Sequence, residues 1–140
     1  MTARQITGGC LCGAVTVTAQ VDAPVLRACH CEMCRQHTSG AYVSIKTVPG
    51  TVHFTGPAKS YRSSDWAERG FCAICGSTLW YGTLADGVRH PSAGLFENAE
   101  GAPLVIEFFE DNRPEGYAFA GDHKKLTTSQ TIELFTGSAS

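Results

Sequence analysis

Between residues 14 and 21 the stretch AVTVTAQV sets Val15, Val17, Ala19 and Val21 against Thr16, Thr18 and Gln20. That period of two is the pattern of a strand with one buried face. AYVSIKTV (41–48), the turn dipeptide Pro49-Gly50 and TVHFTG (51–56) together read as a β-hairpin. Further strands are expected at VLRAC (25–29), KSYRS (59–63), AERGFC (67–72), STLWYG (77–82), HPSAGLF (90–96) and LVIEFF (104–109), punctuated by Gly, Pro, Asp or Asn. Helical signals occur in two places. One is a turn opening near Cys31; the other is TTSQTIELF (127–135), where Thr127 or Thr128 caps a short helix carrying Ile132 and Phe135 and Gly137 ends it. The expected fold is mostly β, antiparallel, with one or two short helices. No repeat or low-complexity tract divides the chain, so residues 1–140 read as a single domain with a core at about 5–136, and MTAR and GSAS read as frayed ends.

Composition narrows the function classes. At 140 residues the chain can bury a core without disulfides. A formal charge of −2 gives no basic footprint for nucleic acid. No run approaches the roughly 20 apolar residues of a membrane span, and MTARQITGGC lacks a signal-peptide core, so a soluble cytoplasmic protein is expected. Seven cysteines in a reducing compartment, an odd number, fit metal ligation better than a disulfide framework.

The cysteines fall in three groups: GGCLCGAV with Cys10 and Cys12, CHCEMC with Cys29, Cys31 and Cys34, and GFCAICGS with Cys72 and Cys75. In the first and third groups the second cysteine is followed by glycine, Gly13 and Gly76. A zinc knuckle curls its backbone round the metal, often with positive φ, so glycine there has a mechanical reason. Cys10, Cys12, Cys72 and Cys75 are therefore expected to form one closed, structural four-thiolate zinc site.

Three cysteines remain. If Cys31 opens a helix, Cys31 and Cys34 share a face at i and i+3, and Cys29 reaches in from the preceding strand. Three protein ligands with a fourth position for water or substrate make the pattern of a catalytic zinc. The alternatives are a second closed site completed by a histidine, His30 or, better placed by helical spacing, His37, and a trio that binds no metal.

The combination of GGCLCGAV, CHCEMCR with the following SGAYVS, and RGFCAICGSTLWY resembles the glutathione-dependent formaldehyde-activating enzyme family, which includes a centromere-protein branch. RPEGYAFAGD (113–122) is similar to the family's acidic-aromatic tail. The resemblance implies a tent-like β fold, a structural zinc at the first and third groups and a catalytic zinc at the middle one. It also implies a carbon–sulfur lyase that reversibly condenses formaldehyde with glutathione to S-hydroxymethylglutathione. A soft three-thiolate zinc suits capture of a small thiol. The carboxylates of a glutathione-like substrate call for cations near the trio, and Arg35, Arg62 and Arg69 are the candidates. Trp66, Phe71, Trp80 and Tyr81 read as core or wall, and His53, His90 and His123 carry no assignment. The rival readings are a non-catalytic zinc module recognising a protein or other partner, and a redox sensor working through metal-free thiolates. The strands mark no oligomer interface.

Overall fold

The computed structural model describes residues 3–137 and contains three small sheets and two short helices. The strands are β1 (Arg4–Gly9), β2 (Thr16–Val21), β3 (Leu26–Cys29), β4 (Tyr42–Ile45), β5 (His53–Thr55), β6 (Ala58–Arg62), β7 (Ala67–Cys72), β8 (Thr78–Thr83), β9 (Arg89–Pro91), β10 (Leu104–Phe108) and β11 (Lys124–Lys125). Helix α1 (Glu32–Thr38) follows β3, and α2 (Thr128–Thr136) closes the chain. The sheet orders are β1-β2-β5, β11-β10-β3-β4 and β6-β7-β8-β9. The mostly β expectation holds. Pairing is antiparallel except where β10 runs parallel to both β3 and β11.

The alternation in β2 does what its pattern requires. Val15, Val17, Ala19 and Val21 are buried, and with Ile6, Ile45, Ala93 and Phe96 the last three form one apolar core. Val15 joins a second core with Leu79, Trp80, Cys10 and Cys72, so the four-cysteine group is built into packed interior. Each fully buried Leu, Ile or Val contributes about 1.5–3 kcal/mol. Gly70 faces Trp80 across the β7–β8 pair, and a Cβ there would sit 2.2 Å from the indole. That close approach leaves room for the Trp80 ring, which meets Phe54 at a 45° tilt with ring centroids 4.7 Å apart.

Three expectations need correction. Residues 41–56 do not form a hairpin: β4 pairs with β3 and β5 pairs with β2, in different sheets. The Pro49-Gly50 turn exists, with Gly50 at φ 79°, but it carries the chain from one sheet to another. Arg4 opens β1, so part of the expected frayed start is sheet; Met1, Thr2 and residues 138–140 lie outside the described residues. Finally, HPSAGLF is strand only at its start: β9 ends at Pro91, and Ala93–Leu95 form a 3-10 turn. Helix α2 has the expected Thr127 cap and Gly137 end, buries Thr131 and leaves Ile132 and Phe135 largely exposed. Phe135 covers the ring of Phe108 from outside, at 5.0 Å. Among the described residues no helix is long and apolar enough to cross a membrane.

Candidate metal centres and active site

The first cysteine group is a pair of matching turns. The N–H of Gly13 donates to the Cys10 carbonyl at 3.0 Å, and the N–H of Gly76 donates to the Cys72 carbonyl at 2.9 Å. Both glycines adopt positive φ, 82° and 77°, the conformation their place after the second cysteine calls for. Each turn aims backbone N–H groups at sulfur: Val15 at Cys10 Sγ (3.3 Å), and Ile74 and Cys75 at Cys72 Sγ (both 3.4 Å). The hydroxyl of Ser77 lies 3.2 Å from Cys75 Sγ and holds that thiol down to about 5. Cys12 and Cys72 approach to 3.8 Å, and all four sulfurs lie within 4.8 Å of one another. The donor chemistry fits a soft divalent metal: four thiols, of which Cys10 and Cys75 are shifted toward the thiolate by the Val15 N–H and the Ser77 hydroxyl, while Cys12 is pushed up to about 11.

The second group gathers where β3 meets α1. Cys29 ends β3, Cys31 caps α1 with its sulfur accepting from the Cys34 N–H at 3.4 Å, and Cys34 is buried one turn on. Their three sulfurs also lie within 4.8 Å of one another. No histidine, aspartate or glutamate among the described residues joins that group, neither His30 nor His37. Crowding sets the protonation. Hydrogen bonds from Cys29 and Cys34 hold the Cys31 thiol far below its ordinary range, while sharing its proton with Cys31 pushes Cys29 far up. Positive charge at the centre would favour the thiolate form of all three. Part of it is built in. Arg69 is only 3% exposed and donates from Nη1 to Cys34 Sγ at 3.2 Å, under the ring of Tyr81 at 4.9 Å. Burial opposes the charge of Arg69, but the Cys34 and Cys31 sulfurs together outweigh it and the guanidinium pKa is raised.

The other two arginines singled out from sequence are engaged with backbone. Arg35 Nε donates to the His30 carbonyl at 3.0 Å, and the exposed Arg62 donates to the carbonyls of Ser64 and Asp65 at 3.1 and 3.2 Å. Trp66 is mostly exposed; Trp80 is buried and Phe71 half-buried.

Residues unassigned from sequence also surround the trio. His30 turns away from the sulfurs and donates from Nε2 to Glu107 at 2.6 Å, while His123 donates to the other oxygen of the same carboxylate. Glu107 is 1% exposed, placed beside Ala28 by the parallel pairing of β10 with β3. An acid inside the apolar run LVIEFF was the available signal. Across β3 from Cys29 stands Tyr42, whose hydroxyl donates to the His90 carbonyl at 2.5 Å. Four buried side-chain nitrogens lack a hydrogen-bond partner among the described residues: Arg27 Nε, His30 Nδ1, His37 Nδ1 and Arg69 Nε. Arg27 precedes Cys29 by two, His30 lies between ligand candidates, His37 follows Cys34 by three, and Arg69 touches Cys34. Orphaned buried donors and acceptors are rare; Arg27 lines one cleft of the protein, and His37 and Arg69 line another.

His90 carries a pH-dependent term. Its Nδ1 lies 3.2 Å from Arg27 Nη2 and must accept, so the ring is neutral. Burial, aided by the Arg27 charge, holds its pKa down to about 4, against about 6.5 for a free imidazole. A folded pKa below the unfolded one gives stability that is full above pH ~6.5 and is lost as pH falls toward ~4. Between pH 7 and 4.5 the wild type should lose about 2–3 kcal/mol more stability than His90→Gln, read from urea midpoints with metal loaded. Equal losses in the two proteins would refute this.

Comparison with known proteins places the chain. An uncharacterized lyase of Schizosaccharomyces pombe is 31% identical over 128 residues, covering 90% of this chain and 93% of that protein. A Rhodobacter sphaeroides protein of known crystal structure shares the fold at a TM-score of 0.56, with 16% identity, 71% of this chain and 100% of that one covered. Residues 5–112, both cysteine groups and β1 to β10 included, match the family described as glutathione-dependent formaldehyde-activating enzyme, and the chain belongs to that family.

Proposed function

We propose that this chain is a zinc-dependent carbon–sulfur lyase that captures a glutathione-like thiol at Cys29, Cys31 and Cys34 and joins it reversibly to formaldehyde or a related small aldehyde. The observation that carries the reading is a three-sulfur group that no further metal-ligating side chain joins among the described residues. Its family and the lyase name of the S. pombe relative support the reaction class. Cys10, Cys12, Cys72 and Cys75 would hold a structural zinc, and the trio a second, catalytic one. Bound there, zinc supplies Lewis acidity that lowers the pKa of an arriving thiol to near neutrality.

The remaining work falls to the chain. Arg69 brings positive charge to Cys34 and the Cys34 N–H a donor to Cys31, both favouring the ionised sulfurs that zinc would need. A cleft of about 540 Å³ between α1 and β6–β7, lined by Met33, His37, Tyr61, Arg69 and Phe71, gives a small molecule room beside Cys34. In the addition, a sulfur–carbon bond forms at the carbonyl carbon, the C=O π bond breaks, and the thiol proton ends on the former carbonyl oxygen. No electrons are exchanged with a further reactant. Seven thiols working in this way need a reducing compartment such as the cytoplasm.

The test is a glutathione titration of the two-zinc protein followed by X-ray absorption at the zinc edge. One added sulfur ligand per chain, with slower removal of one zinc by chelator, is expected, and His37→Ala should keep both zincs. Unchanged coordination and unchanged chelation rates, or loss of a zinc in His37→Ala, would overturn the proposal.

A further inference from the structure

We propose that the cleft between residues 46–52 and 86–90 is an anion subsite that binds a carboxylate of the thiol substrate; this rests on the thiol-capturing reading of the trio. The cleft has a volume of about 500 Å³, and Arg27, Lys46, Arg89, His90 and Asp86 are among the residues that line it. Three cations face one acid. That acid is already occupied: an Asp86 carboxylate oxygen accepts from the hydroxyl of Thr83 and, at 3.0 Å, from the N–H of Val88. Arg89 is partly satisfied, 4.0 Å over the Trp80 ring and 3.9 Å from Glu68.

Arg27 is the unsatisfied member. It is half-buried, none of the ion pairs among the described residues includes it, and its Nε is buried without a partner. Among the described residues its side-chain hydrogen bond is to a neutral imidazole, His90 Nδ1. A desolvated guanidinium without an anion is costly, and a carboxylate meets its planar donors two at a time.

Position joins this cleft to the trio. Arg27 and Cys29 alternate onto the same face of β3, about 7 Å apart along the strand. Tyr42, paired with Cys29, is bonded through its hydroxyl to the backbone of His90 in the cleft wall. A molecule with its thiol at the sulfurs therefore meets the Arg27 donors with a carboxylate a few bonds away, as in a cysteinyl peptide. Arg27 lies on β3 and Lys46 just past β4, while Arg35 and Arg62 are spent on backbone carbonyls and Arg69 on a sulfur.

Calorimetric titration of the two-zinc protein with glutathione, with cysteamine (a thiol without carboxylate) and with inorganic phosphate tests the assignment. Arg27→Gln should weaken glutathione about 10- to 100-fold and cysteamine less than about 2-fold. Lys46→Glu, at an exposed position that spares the fold, should weaken glutathione about 3- to 10-fold and leave cysteamine unchanged. If wild type binds both thiols and the variants match it, or lose both thiols equally, the subsite is refuted and thiol capture stands. If wild type binds neither thiol, both readings fall. Phosphate binding tighter than glutathione, and weakened by Lys46→Glu, would make the cleft a free-phosphate site and refute the carboxylate assignment.

Discussion

Cys72→Ser is expected to cost this domain about 4 kcal/mol and to lower its melting temperature by about 10–20 °C. The estimate treats the four-sulfur centre as a cross-link. Cys12 and Cys72 are 60 residues apart in sequence, their sulfurs 3.8 Å apart in space. Closing a loop of that length removes about 4 kcal/mol of freedom from the unfolded chain. A second contribution comes from packing, because Cys72 is 1% exposed within the core of Val15, Leu79 and Trp80. Serine there replaces the sulfur proposed to hold zinc by a hydroxyl in an apolar setting. Against a typical total of 5–15 kcal/mol, such a loss approaches the whole stability of the fold. Differential scanning calorimetry of the variant, beside wild type treated with a strong chelator, checks the point: both should show the same large fall. A variant that melts within about 3 °C of wild type would remove the structural metal from the account.

How much of this was legible in the chain depends on how local each cause is. The partition of the cysteines could be read because the demand for positive φ at Gly13 and Gly76 is a property of one residue and its turn. The buried face of β2 could be read for the same reason, since alternation is internal to the strand. Choice of partner is not local. Residues 42–45 and 53–55 look like two arms of a hairpin, and only the competition of β3 and β2 for them decides otherwise. The inward face of α2 was not legible either: Thr131, not Ile132 or Phe135, is the residue turned inward, its hydroxyl accepting from the Phe109 N–H at 3.0 Å.

The periphery of the site was hidden for a related reason. Glu107, His123 and His30 meet from three separate segments through a parallel pairing that no pattern announces. Arg27, Lys46 and Arg89 likewise converge from β3, the end of β4 and β9. Metal ligands arrive in clusters because chelation rewards short spacing; cations that hold the far end of a substrate need only meet in space.

The contrast between the two centres yields the last expectation: Cys34→Ser should abolish thiol–aldehyde adduct formation, by at least about 100-fold, while leaving the fold nearly intact. Cys29, Cys31 and Cys34 lie within six residues of one another, so a metal there closes almost no loop and adds little cross-linking entropy. The backbone around them is held independently. Cys29 is paired through β3 to both β4 and β10, the His30 N–H donates to the Phe108 carbonyl at 3.0 Å, and Thr38 closes α1 with its hydroxyl on the Cys34 carbonyl at 2.9 Å. Serine keeps an acceptor for Arg69 Nη1, so the buried guanidinium is not abandoned. What serine cannot do is act as a soft anionic ligand at neutral pH. The variant should thus retain one zinc per chain by mass spectrometry, melt within about 5 °C of wild type and show no glutathione-dependent change at the zinc edge. A Cys34→Ser protein that keeps both metals and full activity would remove the trio from the chemistry. One that unfolds like Cys72→Ser would mean that the two centres share a structural role.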